Sequence, residues 1–228
     1  ERFNILQDAL SSIDKISTIL KNKEIIPEPE KPLEIEIKGE IEFKNVTFAY
    51  ENEIVLNNVS FKIKPGERIA IVGPTGAGKT TIMNLILRLY DVNDGEILID
   101  SVNIKHLRSD VLRKNIAIVL QDVFIFKGTL LENITLGRTD IPIENVYKAA
   151  KYLNAHDFIM SLPNGYDTEL TSEGSNLSLG QKQLISFVRA LVYNPKILLL
   201  DEATSSVDTN TESLIQEGIE KIMKGRTS

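Results

Sequence analysis

The sequence predicts an α/β fold: a core of parallel strands flanked by helices, an antiparallel β layer ahead of it, and a helical subdomain inserted between two core strands. Three observations carry that expectation. Apolar and charged residues alternate along stretches between Leu33 and Ile63, with the period of half-buried strands. Three strand-sized runs, Arg68–Val72, Ile116–Val119 and Ile197–Leu200, are mostly apolar without alternation and suit strands covered on both faces. A glycine-rich turn at 73–80 then separates the first of these runs from a helical stretch, the order of a β-turn-α unit.

The elements follow in order. Phe3, Leu6, Leu10, Ile13, Ile16 or Ser17, and Leu20 recur at three- and four-residue spacing, an apolar stripe on one helix. That stripe suits either packing on its own domain or a partner. Pro27, Pro29 and Pro32 end the helix, so residues 1–32 read as a helix and linker from a preceding domain, and 33–228 as the main domain. Leu33, Ile35 and Ile37 alternate with Glu34, Glu36 and Lys38, then Ile41, Phe43, Val46 and Phe48 and, after a turn, Phe61 and Ile63 complete the antiparallel layer. A helix is expected over Lys79–Leu89, and about 122–180 reads as the inserted helical subdomain.

Composition narrows the chemistry. With 26 basic and 32 acidic residues the net charge is −6, which argues against a nucleic-acid partner. No cysteine is present, which removes disulfides and thiolate sites, and two histidines, His106 and His156, are too few for a histidine metal centre and read as ordinary surface or helix-flanking residues. No apolar run approaches the roughly 20 residues of a spanning helix. The opening at Glu1 and the close at Arg226-Thr227-Ser228 are expected of a piece of a longer chain.

The segment Gly73-Pro74-Thr75-Gly76-Ala77-Gly78-Lys79-Thr80 fits G-x-x-x-x-G-K-[ST], lying after an expected strand and before an expected helix. Its glycines let backbone N–H groups converge on phosphate oxygens at a helix N-terminus. Lys79 is expected to hold the β- and γ-phosphates, Thr80 to give its hydroxyl to Mg²⁺, and Thr81 to follow them at the phosphates. A strand ending in adjacent acids, Ile197–Leu200 followed by Asp201 and Glu202, supplies what such a loop needs next. Asp201 is expected on Mg²⁺ and Glu202 as the general base for the attacking water. These features point to ATP with Mg²⁺ on a P-loop NTPase core, a class that spans kinases, GTPases and motors.

Leu177-Ser178-Leu179-Gly180-Gln181, about 20 residues before the acidic strand end, resembles the signature motif of the ABC (ATP-binding cassette) ATPases. Taken alone, Ser178 is better read as the cap of the helix that continues through Phe187 and Leu191. The resemblance covers almost the whole chain. It implies that Tyr50 stacks on adenine, that Gln121 is a Mg²⁺ and water ligand that couples to a membrane partner, and that Ser205-Ser206-Val207-Asp208 lines a dimer interface. Phe126–Ile134 resembles the stretch that follows that glutamine in exporter cassettes, and Thr168–Gly174 matches the exporters' contact loop only in part. Leu179 stands where the family carries a glycine, and neither histidine occupies the position of the family's switch histidine.

The resemblance thus implies the ATP-driven motor domain of an exporter on the cytoplasmic face of a membrane. Its partners would be a second cassette, whose ATP meets Ser178, Gly180 and Gln181, and a transmembrane domain of the same chain. Without a switch-histidine segment, weak hydrolysis by this piece alone is expected. The alternatives are a soluble ABC ATPase acting on nucleic acid or ribosomes and, more remotely, a small-molecule kinase.

Overall fold

The structure is a computed structural model, and it describes residues 10–17, 20, 26–171, 174–201 and 209–228. A four-stranded antiparallel sheet is built from β1 (Ile41–Tyr50), β2 (Glu53–Ile63), β3 (Asp94–Ile99) and β4 (Val102–Asn103), in the order β2-β1-β3-β4. Ile41, Phe43, Val46 and Phe48 all turn to one buried face of β1, as the sequence alternation required. Asn45, in the left-handed region at φ 50°, shifts the register between Phe43 and Val46 and keeps both inside. Phe43 stacks on Phe61 of β2 with ring centroids 4.5 Å apart.

The helix α1 (Lys79–Ile86) lies against this sheet and contributes Ile82, Met83, Leu85 and Ile86 to a shared core. It stops three residues before the expected Leu89, because Arg88 takes a left-handed φ of 49° and breaks the ladder. Beyond it come the short α2 (Ser109–Lys114) and β5 (Ile116–Val119), which pairs in parallel with β8 (Ile197–Leu200) from Ile116↔Ile197 to Val119↔Leu200. This pair separates two apolar cores. Ile116, Ile197 and Leu199 join the core of the antiparallel sheet, whereas Val119 and Leu198 join the core of the helices. Burial on both faces accounts for the unbroken apolar runs.

The second core is formed by α3 (Leu130–Thr135), α4 (Ile143–Tyr152), α5 (His156–Met160), α6 (Leu179–Val192) and α7 (Thr209–Met223), with a two-stranded antiparallel ribbon of β6 (Gly128–Thr129) and β7 (Glu169–Leu170). The 122–180 stretch carries α3, α4 and α5 beside the β6–β7 ribbon and irregular connections, and its apolar side is continuous with α6, α7, Val119 and Leu198. Thr129 and Glu132 close a capping box at α3, which sets where that helix starts.

Two expected strands are corrected. Leu33–Lys38 is not in a ladder. Its far end is held instead by the Asp100 carboxylate, which accepts the N–H groups of Lys38 (2.7 Å), Gly39 (3.2 Å) and Glu40 (3.0 Å). Arg68–Val72 is neither a strand nor buried, with Val72 87% exposed. It meets Thr227-Ser228 at its start, where Ile69 N–H donates to Ser228 (2.9 Å) and Ser228 N–H to Glu67 (3.0 Å), but a cleft of about 490 Å³ separates its remainder from β8. Apolar content alone does not make a strand when, beyond Ile69, no neighbouring backbone among the described residues closes the ladder. The strands β3 and β4 were not anticipated. The lead-in residues 10–17 are helical, and Leu10, Ile13 and Ile16 of the expected stripe are exposed rather than packed on the chain, while Phe3 and Leu6 lie outside the described residues.

Candidate functional site

The glycine-rich turn keeps the shape that its composition demands. Gly76 and Gly78 have φ of 83° and 86°, and Gly78 is the N-cap of α1, with no side-chain cap on the helix end. A Cβ on Gly78 would stand 2.8 Å from Leu56 Cδ2, so with its φ of 86° the position favours glycine both for backbone conformation and for its close seat on β2. Gly73, Pro74, Thr75 and Ala77 are exposed around the turn, and Ala77 N–H donates to Pro74 at 3.1 Å. Lys79 Nζ bends back over the loop and donates to the carbonyls of Gly73 (2.8 Å) and Pro74 (3.1 Å). The ammonium thereby sits at the mouth of the turn.

The parallel pair brings two further groups to that mouth. Val119 and Leu200 are the last paired residues, and the ladder runs one step further through Asp201 N–H to Val119 (2.9 Å). Gln121 and Asp201 therefore leave neighbouring strands at the same, C-terminal edge, where open parallel sheets place their ligands. A cleft of about 470 Å³ is lined by Val55, Thr75, Gly76, Gly78, Lys79, Thr80, Thr81, Gln121 and Asp201. Four separate segments meet there, the polar groups coming from three of them: one ammonium, three threonines, an amide and one carboxylate.

Other expected site residues are not in this cleft. Tyr50 packs edge-on against Phe48 (4.8 Å) and Tyr90 (5.1 Å), and its hydroxyl accepts from Asn84 Nδ2 at 3.4 Å on α1. Ser178 caps α6: its Oγ accepts from Gln181 N–H (3.2 Å), while Gln181 Oε1 accepts from Ser178 N–H (2.9 Å). The capping role weighed for Ser178 is thus present. Gly180 is buried on that helix and Leu179 is 44% exposed beside it. Glu202, Ser205–Asp208, and Ser172 and Glu173 of the contact loop lie outside the described residues.

One contributor, Arg189, carried no sequence signal, whereas its partner Asn133 lies in the Phe126–Ile134 stretch that the sequence singled out. Arg189 on α6 donates Nε to Asn133 O (2.9 Å) and Nη1 to Phe124 O (3.1 Å), while Asn133 both accepts from Phe126 N–H and donates to its carbonyl, each at 2.9 Å. Together they hold the segment that follows Gln121. Beside it runs a groove of about 650 Å³ edged by exposed Leu120, Phe124, Phe126 and Leu136 and floored in part by Arg189 and Tyr193. His156 lies away from the cleft, its Nδ1 3.0 Å from the Tyr166 hydroxyl, and burial pushes that phenol up to about 12.

The donor set fits a polyphosphate chelating a hard cation. Backbone N–H groups and an ammonium surround the turn, and hydroxyl, amide and carboxylate oxygens face them, the oxygen-rich set that Mg²⁺ prefers. A glycine turn opening a helix across from an acidic strand end defines the P-loop NTPase class. Residues 56–205, more than half of the chain, match the family model described as ABC transporter, and the chain belongs to that family. Its fold is the ABC ATPase fold, and the domain is an ATP-binding ATPase domain.

The chain is similar over 100% of its length, at 48% identity, to an uncharacterized ABC transporter ATP-binding protein, YfiC, of Bacillus subtilis. It is 42% identical over 99% of its length to a fatty acid ABC transporter ATP-binding/permease protein of Mycobacterium bovis. Among solved structures, that of a bacterial Atm1-family ABC exporter with ATP bound superposes with a TM-score of 0.83 at 40% identity, covering 98% of this chain. The chain spans 38%, 36% and 39% of these three proteins, so they carry much sequence that it does not match.

Proposed function

We propose that this chain is the ATP-driven motor domain of an ABC exporter, binding Mg-ATP at the cleft and coupling its turnover to transport across a membrane. The observation that carries the reading is the convergence of Lys79, Thr80, Gln121 and Asp201 on one cleft from three separate segments. In this reading the backbone of Gly73–Lys79 cradles the phosphates, Lys79 neutralises the β- and γ-phosphate oxygens, and Tyr50 offers its ring to the base. Thr80, Gln121 and Asp201 would hold Mg²⁺, which screens charge on the transferred phosphoryl group when bound. Glu202 would take a proton from the attacking water.

Ser178, Gly180 and Gln181 form a second surface. In Ser178 the hydroxyl oxygen caps α6, which leaves its O–H proton to donate, and the positive end of a 14-residue helix stands behind it. That surface suits the γ-phosphate of ATP held by a second cassette, so that ATP joins two subunits and hydrolysis releases them. The groove rimmed by Leu120, Phe124, Phe126 and Leu136, adjoining Gln121, suits an apolar segment of a transmembrane domain. The exposed stripe of Leu10, Ile13 and Ile16 supports the same partner, which would place the domain on the cytoplasmic face of a membrane. Relatives described as permease and exporter proteins favour this reading over a cassette acting on nucleic acid.

Titration of the chain with a fluorescent ATP analogue and Mg²⁺ tests the site. Lys79→Ala is expected to weaken binding by about tenfold or more, the effect of losing one charge-assisted contact. Unaltered affinity in that variant would overturn the assignment. Glu202→Gln is expected to keep ATP bound and to stabilise an ATP-dependent dimer on sizing.

A further inference from the structure

The far end of the phosphate-loop helix is tied to the linker that leads away from the domain. Arg88, two residues past α1, is only 2% exposed. Its guanidinium reaches three separate acceptors: Asp91 Oδ1 from Nε (3.2 Å), Leu107 O from Nη1 (3.2 Å) and, in the linker, Pro27 O from Nη2 (2.8 Å). A buried guanidinium cannot release such an acceptor cheaply, because an unmatched charged donor loses its hydration as well. Arg113 fastens the same helix end from the other side, donating Nε to Leu87 O (3.1 Å) and Nη2 to Arg88 O (2.8 Å).

The linker is clasped twice more. Ser109 N–H donates to Glu28 Oε2 (3.1 Å), and Leu33 N–H donates to His106 O (2.8 Å). Between these clasps Pro29 and Pro32 fix φ and stiffen the path. The eight residues of α1 span roughly 12 Å, so the phosphate turn at one end and the linker at the other are joined by one rigid element. Upstream of Pro27 stand the helical residues 10–17 with their exposed apolar stripe.

We infer that Arg88 is a positioning residue that couples the phosphate loop to the linker, so that a shift of α1 when nucleotide binds is carried through the guanidinium to Pro27 and on to the segment before it. This rests on the reading that the cleft holds ATP. It adds a transmission route distinct from the groove beside Gln121, and it assigns a role to linker residues that touch no site residue.

Amide exchange at Leu33, followed by mass spectrometry on the whole chain with and without Mg-ATP, tests the coupling. In the parent, Mg-ATP is expected to slow Leu33 exchange by about threefold or more. Arg88→Lys, which cannot span three acceptors, is expected to exchange about tenfold faster without nucleotide and to lose the Mg-ATP response, with Mg-ATP affinity within about threefold of the parent. Glu28→Gln alters an exposed side chain, leaves Arg88 in place, and is expected to show a smaller loss of the same response, which keeps the test decisive if Arg88→Lys does not fold. A full Mg-ATP response at Leu33 in either folded variant overturns the coupling. A parent that binds no Mg-ATP sinks the functional reading itself, a result separable from a parent that binds but leaves Leu33 unmoved, which sinks only the coupling.

Discussion

Gly78 is seated directly on Leu56: a Cβ added to the glycine would lie 2.8 Å from Leu56 Cδ2 and 3.1 Å from Val55 Cγ1. The phosphate turn thus lies close against the second strand of the antiparallel sheet, with no free space for a side chain between them. Gly76, with a similar positive φ, has nothing among the described residues within 4 Å of its added Cβ.

The pair of glycines gives the first prediction. Gly76→Ala meets only the left-handed backbone cost of about 1–2 kcal/mol. Gly78→Ala adds an overpacking cost of about 1–3 kcal/mol, because Leu56 and Val55 must give way. Urea unfolding of both variants should therefore rank Gly78→Ala as clearly the less stable. Equal midpoints would mean that Leu56 yields freely.

Asp100 should behave as a structural anchor. Its carboxylate accepts three consecutive backbone N–H groups, from Lys38, Gly39 and Glu40. Asp100→Ala removes charge-assisted bonds and is expected to cost about 1–3 kcal/mol in chemical unfolding. Protease cleavage near residues 38–40 should rise in parallel, and a variant cut no faster than the parent would count against the anchor.

Ser178 carries two separable roles. As N-cap of α6 its replacement by alanine is expected to lower stability by about 1 kcal/mol, read from the thermal or urea midpoint. Ser178→Thr keeps a capping hydroxyl and should recover most of that loss. If the hydroxyl also meets a partner's nucleotide, ATP-driven dimerisation falls in the alanine variant by more than the stability change accounts for.

Tyr166 sets an alkaline limit. Burial raises its hydroxyl from 10.0 to about 12 in the folded chain, so between those values the unfolded chain releases a proton that the folded chain keeps. The stabilisation is complete below pH 10 and is lost as pH rises toward 12. Tyr166→Phe should flatten that part of the stability profile, as measured by urea midpoints across the range. An unchanged slope would place the alkaline loss elsewhere.

Legibility in the sequence followed how local each feature was. The phosphate turn was readable because its glycines, lysine and threonine act within eight consecutive residues, and the structure keeps them at the head of one helix. The apolar runs at Ile116–Val119 and Ile197–Leu200 were readable because burial on both faces leaves no polar alternation. By contrast β3 and β4 pass through Asp94, Gly95, Glu96 and Asn103, whose polar side chains hide a strand pattern. The alternating Leu33–Lys38 and apolar Arg68–Val72 misled for the opposite reason, since each has the composition of a strand without a ladder to join.

By itself, then, the sequence determined the α/β class, the phosphate turn with its following helix, and the apolar strand that ends at Asp201, because each is settled by residues within a few positions of one another. Only the tertiary structure decided that Gln121 and Asp201 share a cleft with Lys79, that Gly78 is seated against Leu56, and that Arg88 reaches back to Pro27. Those facts depend on which strands pair and which helix end meets which linker. Such long-range closures are fixed by packing of the whole core, and no short window of sequence encodes them.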